Sequence, residues 1–217
     1  MATVSLPEDY LVLDLETNCP IPARAYILQL GLLVVRDGAV AEELSFLFAL
    51  PDDVPLDPGA VNVHGITREM SKESGGCFDA VIPSLASSIS RFGLPVIGHN
   101  VLGFDLPTLN ARLTERGLSG LPTDNVYDTG AIAKASLLMQ HRLPGQSIEQ
   151  FQRRVLARRV KGLKWNLDRC LGDAQLTKEA RGNHDALEDC KLTSLLFEYQ
   201  KRRGIADRVL AQTYTKG

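Results

Sequence analysis

The chain of 217 residues is 44% apolar and 23% charged, values that exclude a globally disordered protein. No apolar run approaches the roughly 18 residues of a membrane-spanning helix, and no basic and apolar leader of the secretory kind opens the sequence. We therefore expect a single cytoplasmic domain over residues 1–217, without membrane attachment, whose four scattered cysteines are reduced and buried.

Short apolar runs predict three strands near the start of the chain. They cover residues 10–15, 26–35 and 43–50, and the Asp37-Gly38 pair between the second and the third is a strong turn signal. The proline-rich residues 51–58 are expected to form a loop. Three consecutive strands joined in this way predict a hairpin or a meander.

Strands and helices alternate in the rest of the sequence. Strands are expected at residues 95–98 and 125–128, and helices at residues 80–92, 106–116, 131–139, 148–160 and 167–171. A last helix, capped by Asn183 or His184, is expected to run to about Arg203. This order of elements predicts an α/β fold with a mixed sheet.

The net charge of −2 conceals an uneven distribution. Residues 1–108 hold 14 Asp and Glu and 5 Lys and Arg, whereas residues 109–217 hold 12 and 19. Residues 142–164, part of a possible insertion around 136–164, contain seven Lys and Arg and one acid, Glu149. This stretch could follow a phosphate backbone, bind a partner or form a solvated helix face. Its apolar residues Ile148, Phe151 and Val155 could instead belong to the core.

Asp14 and Glu16 stand two residues apart at the end of the first predicted strand. The alternation of side chains along a strand puts both carboxylates on one face of the sheet. Neighbouring carboxylates repel each other, and a hard divalent cation such as Mg²⁺ relieves that repulsion. Carboxylate pairs are also common on ordinary surfaces, so this pair alone leaves both interpretations open.

Two further segments place acids at the starts of helices. Asp105 follows the short strand that ends at Gly98, where it could serve a catalytic site or cap the next helix. Asp185 and Asp189 share a helical face, and His184 can join Asp189 at one site only if it lies at or before the helix start. An ordinary acidic first turn, favoured by the helix dipole, would explain the same residues without chemistry.

Five segments, taken together, resemble the DEDDh branch of the DnaQ-like 3′–5′ exonucleases, in the order of that family. They are DLET at residues 14–17, VHGIT at 63–67, HNVLGFD at 99–105, DT at 128–129 and HDALED at 184–189. The last has the spacing of the histidine branch, with four residues between His184 and Asp189. The resemblance spans about residues 10–200 and implies a ribonuclease H-like fold, a five-stranded mixed sheet with helices on both sides.

The resemblance also implies roles for individual residues. Asp14, Glu16, Asp105 and Asp189 would bind two Mg²⁺ or Mn²⁺ ions, and His184 would be the general base that deprotonates the attacking water. The positions expected to contact the terminal nucleotide are Leu15, Thr17, Val63, His64, Asn100 and Phe104. Two metal ions and a base that titrates near neutrality suit the hydrolysis of a phosphodiester bond.

Some positions depart from the family pattern. Three residues separate Asn100 from Phe104 where many relatives have two, and Gln29 stands where the family often has an acid. His99 is expected to have a structural role, and His141 is given none.

The activity implied by the resemblance is a metal-dependent 3′–5′ exonuclease that releases nucleoside 5′-monophosphates from single-stranded 3′ ends. DNA is slightly favoured over RNA by family habit, since no residue identifies a reader of the 2′-hydroxyl group. The alternatives are a 3′–5′ exoribonuclease that trims RNA ends and a non-catalytic module that binds nucleic acid or a polymerase. A polymerase or repair protein is a candidate partner, and the sequence leaves the oligomeric state open.

Overall fold

A computed structural model gives the fold of residues 4–177 and 182–211. Its strands are Tyr10–Thr17 (β1), Ile27–Arg36 (β2), Ala39–Leu47 (β3), Val96–Gly98 (β4) and Val126–Asp128 (β5). They form a sheet in the order β3-β2-β1-β4-β5. The pairs β1–β2 and β2–β3 are antiparallel, whereas β1–β4 and β4–β5 are parallel. The predicted five-stranded mixed sheet is therefore confirmed.

Helices connect the strands and cover the sheet. Those of the described residues are Pro58–His64 (α1), Arg68–Ser74 (α2), Phe78–Phe92 (α3), Asp105–Thr114 (α4), Thr129–Leu137 (α5), Ile148–Ala157 (α6), Leu167–Asp173 (α7), Ala186–Arg202 (α8) and Ile205–Leu210 (α9). The helices α3 to α8 confirm the six predicted ones, with ends that differ by no more than three residues. Across residues 4–177 and 182–211, no helix has the length and apolar content needed to cross a membrane.

The alternation along β1 sends its side chains into two separate cores. Leu11, Leu13 and Leu15 pack on one face of the sheet, in the core that α3 and α4 complete. Tyr10 and Val12 pack on the opposite face, in the core that α5, α6, α8 and α9 complete. Helices cover both sides of the sheet, as predicted, because both of its faces are apolar.

The turn between β2 and β3 has only two residues, whereas the predicted third strand at residues 43–50 would leave a longer connection. Asp37 and Gly38 have φ angles of 50° and 73°, and Arg36 pairs with Ala39 across them. Two consecutive left-handed residues form the two-residue turn whose twist matches that of the flanking strands. The third strand therefore begins directly after the turn, at Ala39, and ends at Leu47.

Three short helices lie outside the predicted set. α1, α2 and α9 have only six or seven residues each, too few to show an apolar period. Caps fix the first two: the Asp57 side chain accepts a hydrogen bond from the backbone N–H of Gly59, and that of Thr67 accepts one from Met70. α1 begins at Pro58, inside the predicted loop, because the first turn of a helix tolerates proline.

The basic stretch divides into a packed helix and an exposed loop. α6 buries Phe151 and Val155 completely, so the alternative that its apolar stripe belongs to the core is confirmed. The helix ends at Ala157, before the predicted residue 160, because Val160 and Gly162 favour a helix poorly. Residues 158–164, the basic loop, carry four exposed cations: Arg158, Arg159, Lys161 and Lys164.

The four cysteines are free thiols, as expected. Cys170 and Cys190 are buried, whereas Cys19 is half-buried and Cys77 is exposed. The expectation of burial is wrong for Cys19 and Cys77. Cys19 follows the end of β1 and Cys77 lies at the N-cap of α3, so both are outside the apolar faces.

Candidate active site

The end of β1 places two carboxylates against α8. Tyr10, Val12, Asp14 and Glu16 alternate with the other residues of the strand and so point to the face that α8 covers. Asp14 is half-buried, and Glu16 is only 7% exposed. The two carboxylates thus share one face, as predicted.

The start of α8 brings His184 next to Asp189. The helix is capped by Asp185, whose Oδ1 accepts hydrogen bonds from the backbone N–H groups of Leu187 (3.1 Å) and Glu188 (3.0 Å). The predicted caps, Asn183 and His184, are therefore wrong by one or two residues. Because His184 lies before the helix, its Nδ1 approaches Asp189 Oδ2 to 3.1 Å. The condition that the spacing sets for these two residues to meet is fulfilled.

Three of the predicted catalytic residues converge closely. One ligand atom each of Glu16, His184 and Asp189 lie within 4.8 Å of one another. Among the described residues, this compact cluster does not include Asp14 or Asp105. Asp14 is on the same strand face as Glu16, and Asp105 contacts this end of β1 through the backbone N–H of Leu15.

Asp105 is the first residue of α4, and Phe104 holds the cap position without a side-chain bond. The Asp105 carboxylate instead accepts a hydrogen bond at 3.0 Å from the backbone N–H of Leu15, between Asp14 and Glu16. The alternative that Asp105 merely caps its helix is therefore wrong. The side chain is 4% exposed, and burial, with the nearby charges of Asp128 and Glu16, raises its pKa to about 8.

The carboxylates fit a site for divalent cations. Burial is the main cause that raises the pKa of the Cys190 thiol, and the charges of Asp14, Asp105, Asp189 and Asp185 raise it further. Neighbouring carboxylates such as Asp14 and Glu16 repel one another unless a proton or a cation lies among them. The donors are mainly carboxylate oxygens, the ligands that Mg²⁺ and Mn²⁺ prefer.

An open pocket with a volume of about 520 Å³ adjoins the carboxylates. We call it the terminal pocket. Glu16 lines it, together with all six residues that the resemblance assigns to the terminal nucleotide: Leu15, Thr17, Val63, His64, Asn100 and Phe104. Its volume is typical of sites for small organic ligands. Residues from β1, α1 and the loop before α4 thus meet around one space.

His64 is a fixed wall of the terminal pocket. It is 5% exposed, and its Nδ1 accepts a hydrogen bond from the backbone N–H of Ile66 at 2.9 Å. The ring proton is therefore on Nε2, which donates to the carbonyl of Thr17 at 3.2 Å. Burial lowers the pKa of His64 below its usual value. A neutral His64 thus ties α1 to the end of β1.

Asp128 anchors the loop that leads to Asp105. It is fully buried, and its carboxylate accepts hydrogen bonds from the backbone N–H groups of Asn100 (3.0 Å), Leu102 (3.1 Å) and Ala131 (2.9 Å). Burial raises the pKa of Asp128 to about 6 in spite of these bonds. Asp128 belongs to the DT segment of the resemblance but is not among the predicted site residues, although an Asp directly before a helix is the signal of such an anchor.

Two residues of β2 fix the start of α8. Gln29 Nε2 donates to Asp185 Oδ2 at 2.7 Å, and Gln29 Oε1 accepts from the backbone N–H of Ala186 at 3.2 Å. Gly31, which pairs with Asp14 across the sheet, lies so close to the helix that a Cβ would be 2.4 Å from the Ala186 carbonyl carbon. Gln29 is therefore an uncharged residue that holds the start of α8 by two hydrogen bonds, at the position where the family often has an acid.

His99 and Asp168 complete the surroundings of the site. His99 lies within hydrogen-bond distance of Thr129 Oγ1 (Nδ1, 3.0 Å) and of the Trp165 carbonyl (Nε2, 2.8 Å), in agreement with its expected structural role. Asp168, in the first turn of α7, has Oδ2 3.8 Å from Nε2 of His184. The sequence pattern gives no signal for Asp168, because the contact joins α7 to the segment before α8.

Comparisons with known proteins bear on this geometry. The sequence model of the RNase_T family, described as Exonuclease, matches residues 11–197. No curated protein matches the chain significantly. Similar solved structures include E. coli Exonuclease I in complex with a dT13 oligonucleotide (TM-score 0.69), the zinc-bound form of its ssDNA complex (0.64) and an ExoI/SSB-Ct complex (0.65).

Each of these structures is 20% identical to this chain and covers 91% of it, whereas the chain spans only 41–42% of their length. At this identity they show the shared fold, which confirms the predicted ribonuclease H-like architecture. The family match covers most of the sequence and includes every residue of the five segments that carry the resemblance. The chain therefore belongs to the RNase_T exonuclease family.

Proposed function

We propose that this chain is a metal-dependent 3′–5′ exonuclease that removes nucleoside 5′-monophosphates from the 3′ ends of single-stranded nucleic acid, with DNA favoured over RNA. One observation carries the proposal. The six residues expected to contact the terminal nucleotide line one pocket, and Glu16, which also lines it, belongs to the cluster with His184 and Asp189. The Exonuclease I structures with single-stranded DNA oligonucleotides support the choice of DNA.

The carboxylates of Asp14, Glu16, Asp105 and Asp189 would hold two Mg²⁺ or Mn²⁺ ions. When bound, two such ions stabilise negative charge on the attacking and the leaving oxygen atoms of a phosphodiester. The zinc-bound Exonuclease I structure supports a divalent cation in this fold. The backbone N–H of Leu15 donates to Asp105 Oδ1 at 3.0 Å and so limits the movement of this carboxylate.

His184 would accept the proton of the attacking water at Nε2. Its Nδ1 faces the Asp189 carboxylate at 3.1 Å, which favours the tautomer with the proton on Nδ1 and the basic lone pair on Nε2. Asp168, 3.8 Å from Nε2, would stabilise the imidazolium that forms. Asp168 is thus a positioning residue that acts through His184.

The terminal pocket would orient the last nucleotide. Leu15 and Thr17 of β1, Val63 and His64 of α1, and Asn100 and Phe104 of the loop before α4 line it. Because His64 is neutral and donates to the Thr17 carbonyl, it contributes shape rather than charge to the pocket. A wall of this kind accepts different bases, as an exonuclease requires.

The test is a degradation assay with 5′-labelled single-stranded DNA and RNA of one sequence, each with Mg²⁺, Mn²⁺ or EDTA. We expect stepwise shortening from the 3′ end that requires metal and is lost in Asp14→Ala and His184→Ala. Asp124→Ala and His141→Ala are the matched controls, because both residues are exposed and outside the site. The faster substrate identifies the nucleic acid class.

A folded wild-type protein that shortens neither strand with either metal would contradict the proposal and favour a non-catalytic binding module. Faster shortening of RNA would replace the deoxyribonuclease by an exoribonuclease. Undiminished activity in Asp14→Ala and His184→Ala would show that the activity belongs to a contaminant. Equal losses in the controls and in the site variants would show that the substitutions act on folding.

The location, the domain organisation and the partners of the chain are also proposals. The cytoplasmic location and the single domain over residues 1–217 are retained as predictions. A polymerase or repair protein is retained as the candidate partner, and the ExoI/SSB-Ct complex supports the idea that proteins of this fold have protein partners. Sedimentation of the purified chain would give its oligomeric state.

A further inference from the structure

A second open pocket, with a volume of about 500 Å³, lies beside the terminal pocket. The two pockets share Asn100, which therefore stands between them. The second pocket is lined by His99, Asn100, Leu163, Lys164, Trp165 and Asn166. Apart from Asn100 and the structural contacts of His99, these residues are not part of the site described above. Asp168, two residues after Asn166, reaches His184. We call this space the upstream pocket.

Trp165 is a fixed aromatic wall of the upstream pocket. It is half-buried, and its ring packs so tightly on Gly130 that a Cβ there would lie 2.9 Å from the ring. The Lys134 ammonium group is 4.8 Å from the ring centroid, and the His99 ring is 6.2 Å away. The Trp165 carbonyl is held by His99 Nε2 at 2.8 Å. A ring fixed in this way can stack on a base without losing much side-chain entropy.

Positive charge follows the aromatic wall. Lys164 lines the pocket and is exposed, and it is the last of the four cations of the basic loop. None of these cations pairs with a carboxylate of the described residues. An aromatic platform followed by unneutralised cations is the combination with which proteins bind single-stranded nucleic acid independently of sequence.

The backbone at Asn100 connects the two pockets. Asn100 has a φ of 66°, a left-handed conformation that the bond from its N–H to Asp128 holds in place. Within the described residues, no hydrogen bond engages its side-chain amide. Because the two pockets share Asn100, a strand whose last nucleotide fills the terminal pocket can continue past Asn100 toward Trp165.

We infer that the upstream pocket binds a nucleotide on the 5′ side of the scissile phosphate, with its base stacked on Trp165 and its phosphate beside Lys164. This inference rests on the proposed function and adds to it a second nucleotide subsite and a path for the strand along the basic loop. The predicted alternative of a phosphate track thus applies to residues 158–164, whereas α6 is packed in the core.

The fluorescence of Trp165 tests the inference directly, because Trp165 is the only tryptophan of the chain. The wild-type protein is titrated in EDTA, which prevents hydrolysis, with thymidine 5′-monophosphate, a dinucleotide and a hexanucleotide of thymidine. Binding is measured in parallel by anisotropy of a 5′-labelled hexanucleotide. We expect the hexanucleotide to quench the tryptophan emission with the same Kd as the anisotropy gives, whereas the mononucleotide leaves the emission unchanged.

Variants separate the stacking from the charge. Trp165→Ala is expected to bind the hexanucleotide about 5- to 150-fold more weakly, and Trp165→Phe, which keeps an aromatic face, to recover most of that loss. Lys164→Ala is expected to reduce the slope of log K against log salt by about 0.7, the value for one phosphate contact on a single strand. Arg91→Ala, at the end of α3 that leads into the opposite end of β4, is the charge control and should not change the slope.

Two different failures can be distinguished. If the hexanucleotide binds by anisotropy but leaves the emission of Trp165 unchanged, the subsite is wrong and the exonuclease proposal stands. If no oligonucleotide binds and none is degraded with metal, both are wrong. Equal weakening of mononucleotide and hexanucleotide binding by Trp165→Ala would show that Trp165 only supports the fold, which also overturns the subsite.

Discussion

A methyl group at Gly31 should displace the helix that carries the third acidic segment of the site. An ideal Cβ at this position would lie 2.4 Å from the carbonyl carbon and oxygen of Ala186 and 2.6 Å from the Leu187 nitrogen. All of these are backbone atoms, so no side chain can rotate away. Since ordinary contacts begin near 3.4 Å, the start of α8 must move by about 1 Å.

The expected cost of Gly31→Ala follows from that displacement. Overpacking of this kind lowers the free energy of unfolding by about 1–3 kcal/mol. A displacement of about 1 Å at a catalytic group reduces turnover by about 100-fold. His184 and Asp189 flank the displaced residues, so we expect a loss of that size in kcat on single-stranded DNA, measured in protein shown to be folded by urea unfolding.

Gly172→Ala is the matched control. Gly172 lies in α7, and a Cβ there would have no other atom within 4 Å. Alanine is a better helix former than glycine, so this variant should be as active as the wild type and more stable by up to about 1 kcal/mol. If Gly31→Ala matched Gly172→Ala in both activity and stability, the contact between β2 and α8 would not set the position of the site.

Three further predictions concern the supports of the site. Because burial raises the pKa of Asp128 from its usual 3.8 to about 6, its contribution to stability is fully present below pH 4 and is lost as pH rises through 6. The advantage of the wild type over Asp128→Asn in urea unfolding without metal should therefore shrink by about 2 kcal/mol between pH 4 and pH 7, and an advantage that grows with pH would refute this account. Gln29→Leu removes the bonds to Asp185 and Ala186, so it should cost about 1–3 kcal/mol in unfolding free energy and lower kcat more than KM changes. Mn²⁺ at 100 times its Kd should stabilise the wild type by about 2.7 kcal/mol, seen as a higher Tm, and Glu16→Gln should lose most of that rise if the carboxylates bind the metal.

The sequence predicts the parts of the structure that depend on apolar period and local spacing. The apolar runs of β1 and β2 are buried on both faces of the sheet, and the apolar stripe of α6 is buried on one face. Each of these elements is found within three residues of its predicted place. The spacing of His184 and Asp189 also sets the condition for their contact, because the two side chains can meet only if the histidine lies at or before the helix start. The resemblance then supplies the six residues of the terminal pocket, which periodicity alone could not select.

The supports of the site could not be predicted because they depend on contacts between distant segments. Gln29 has the pattern of any residue in a strand, and its role follows only from its bonds to the start of α8, more than 150 residues away. Asp128 and Asp168 resemble ordinary residues at helix starts until the loop of Asn100 and the ring of His184 are placed beside them. α1 and α2 are predictable from the sequence, since Asp57 and Thr67 are typical helix caps.

The order in which the chain is synthesised delays the assembly of the carboxylates. Asp14 lies in the first strand and Asp189 in the eighth helix, about 175 residues later. At about 5–20 residues per second, a ribosome needs roughly 10–35 s to pass from one to the other. Throughout that interval β1 is without the helix that completes its acidic face, so the cluster of Glu16, His184 and Asp189 cannot form until residue 189 has been added. The candidate site is therefore assembled only after most of the chain has been synthesised.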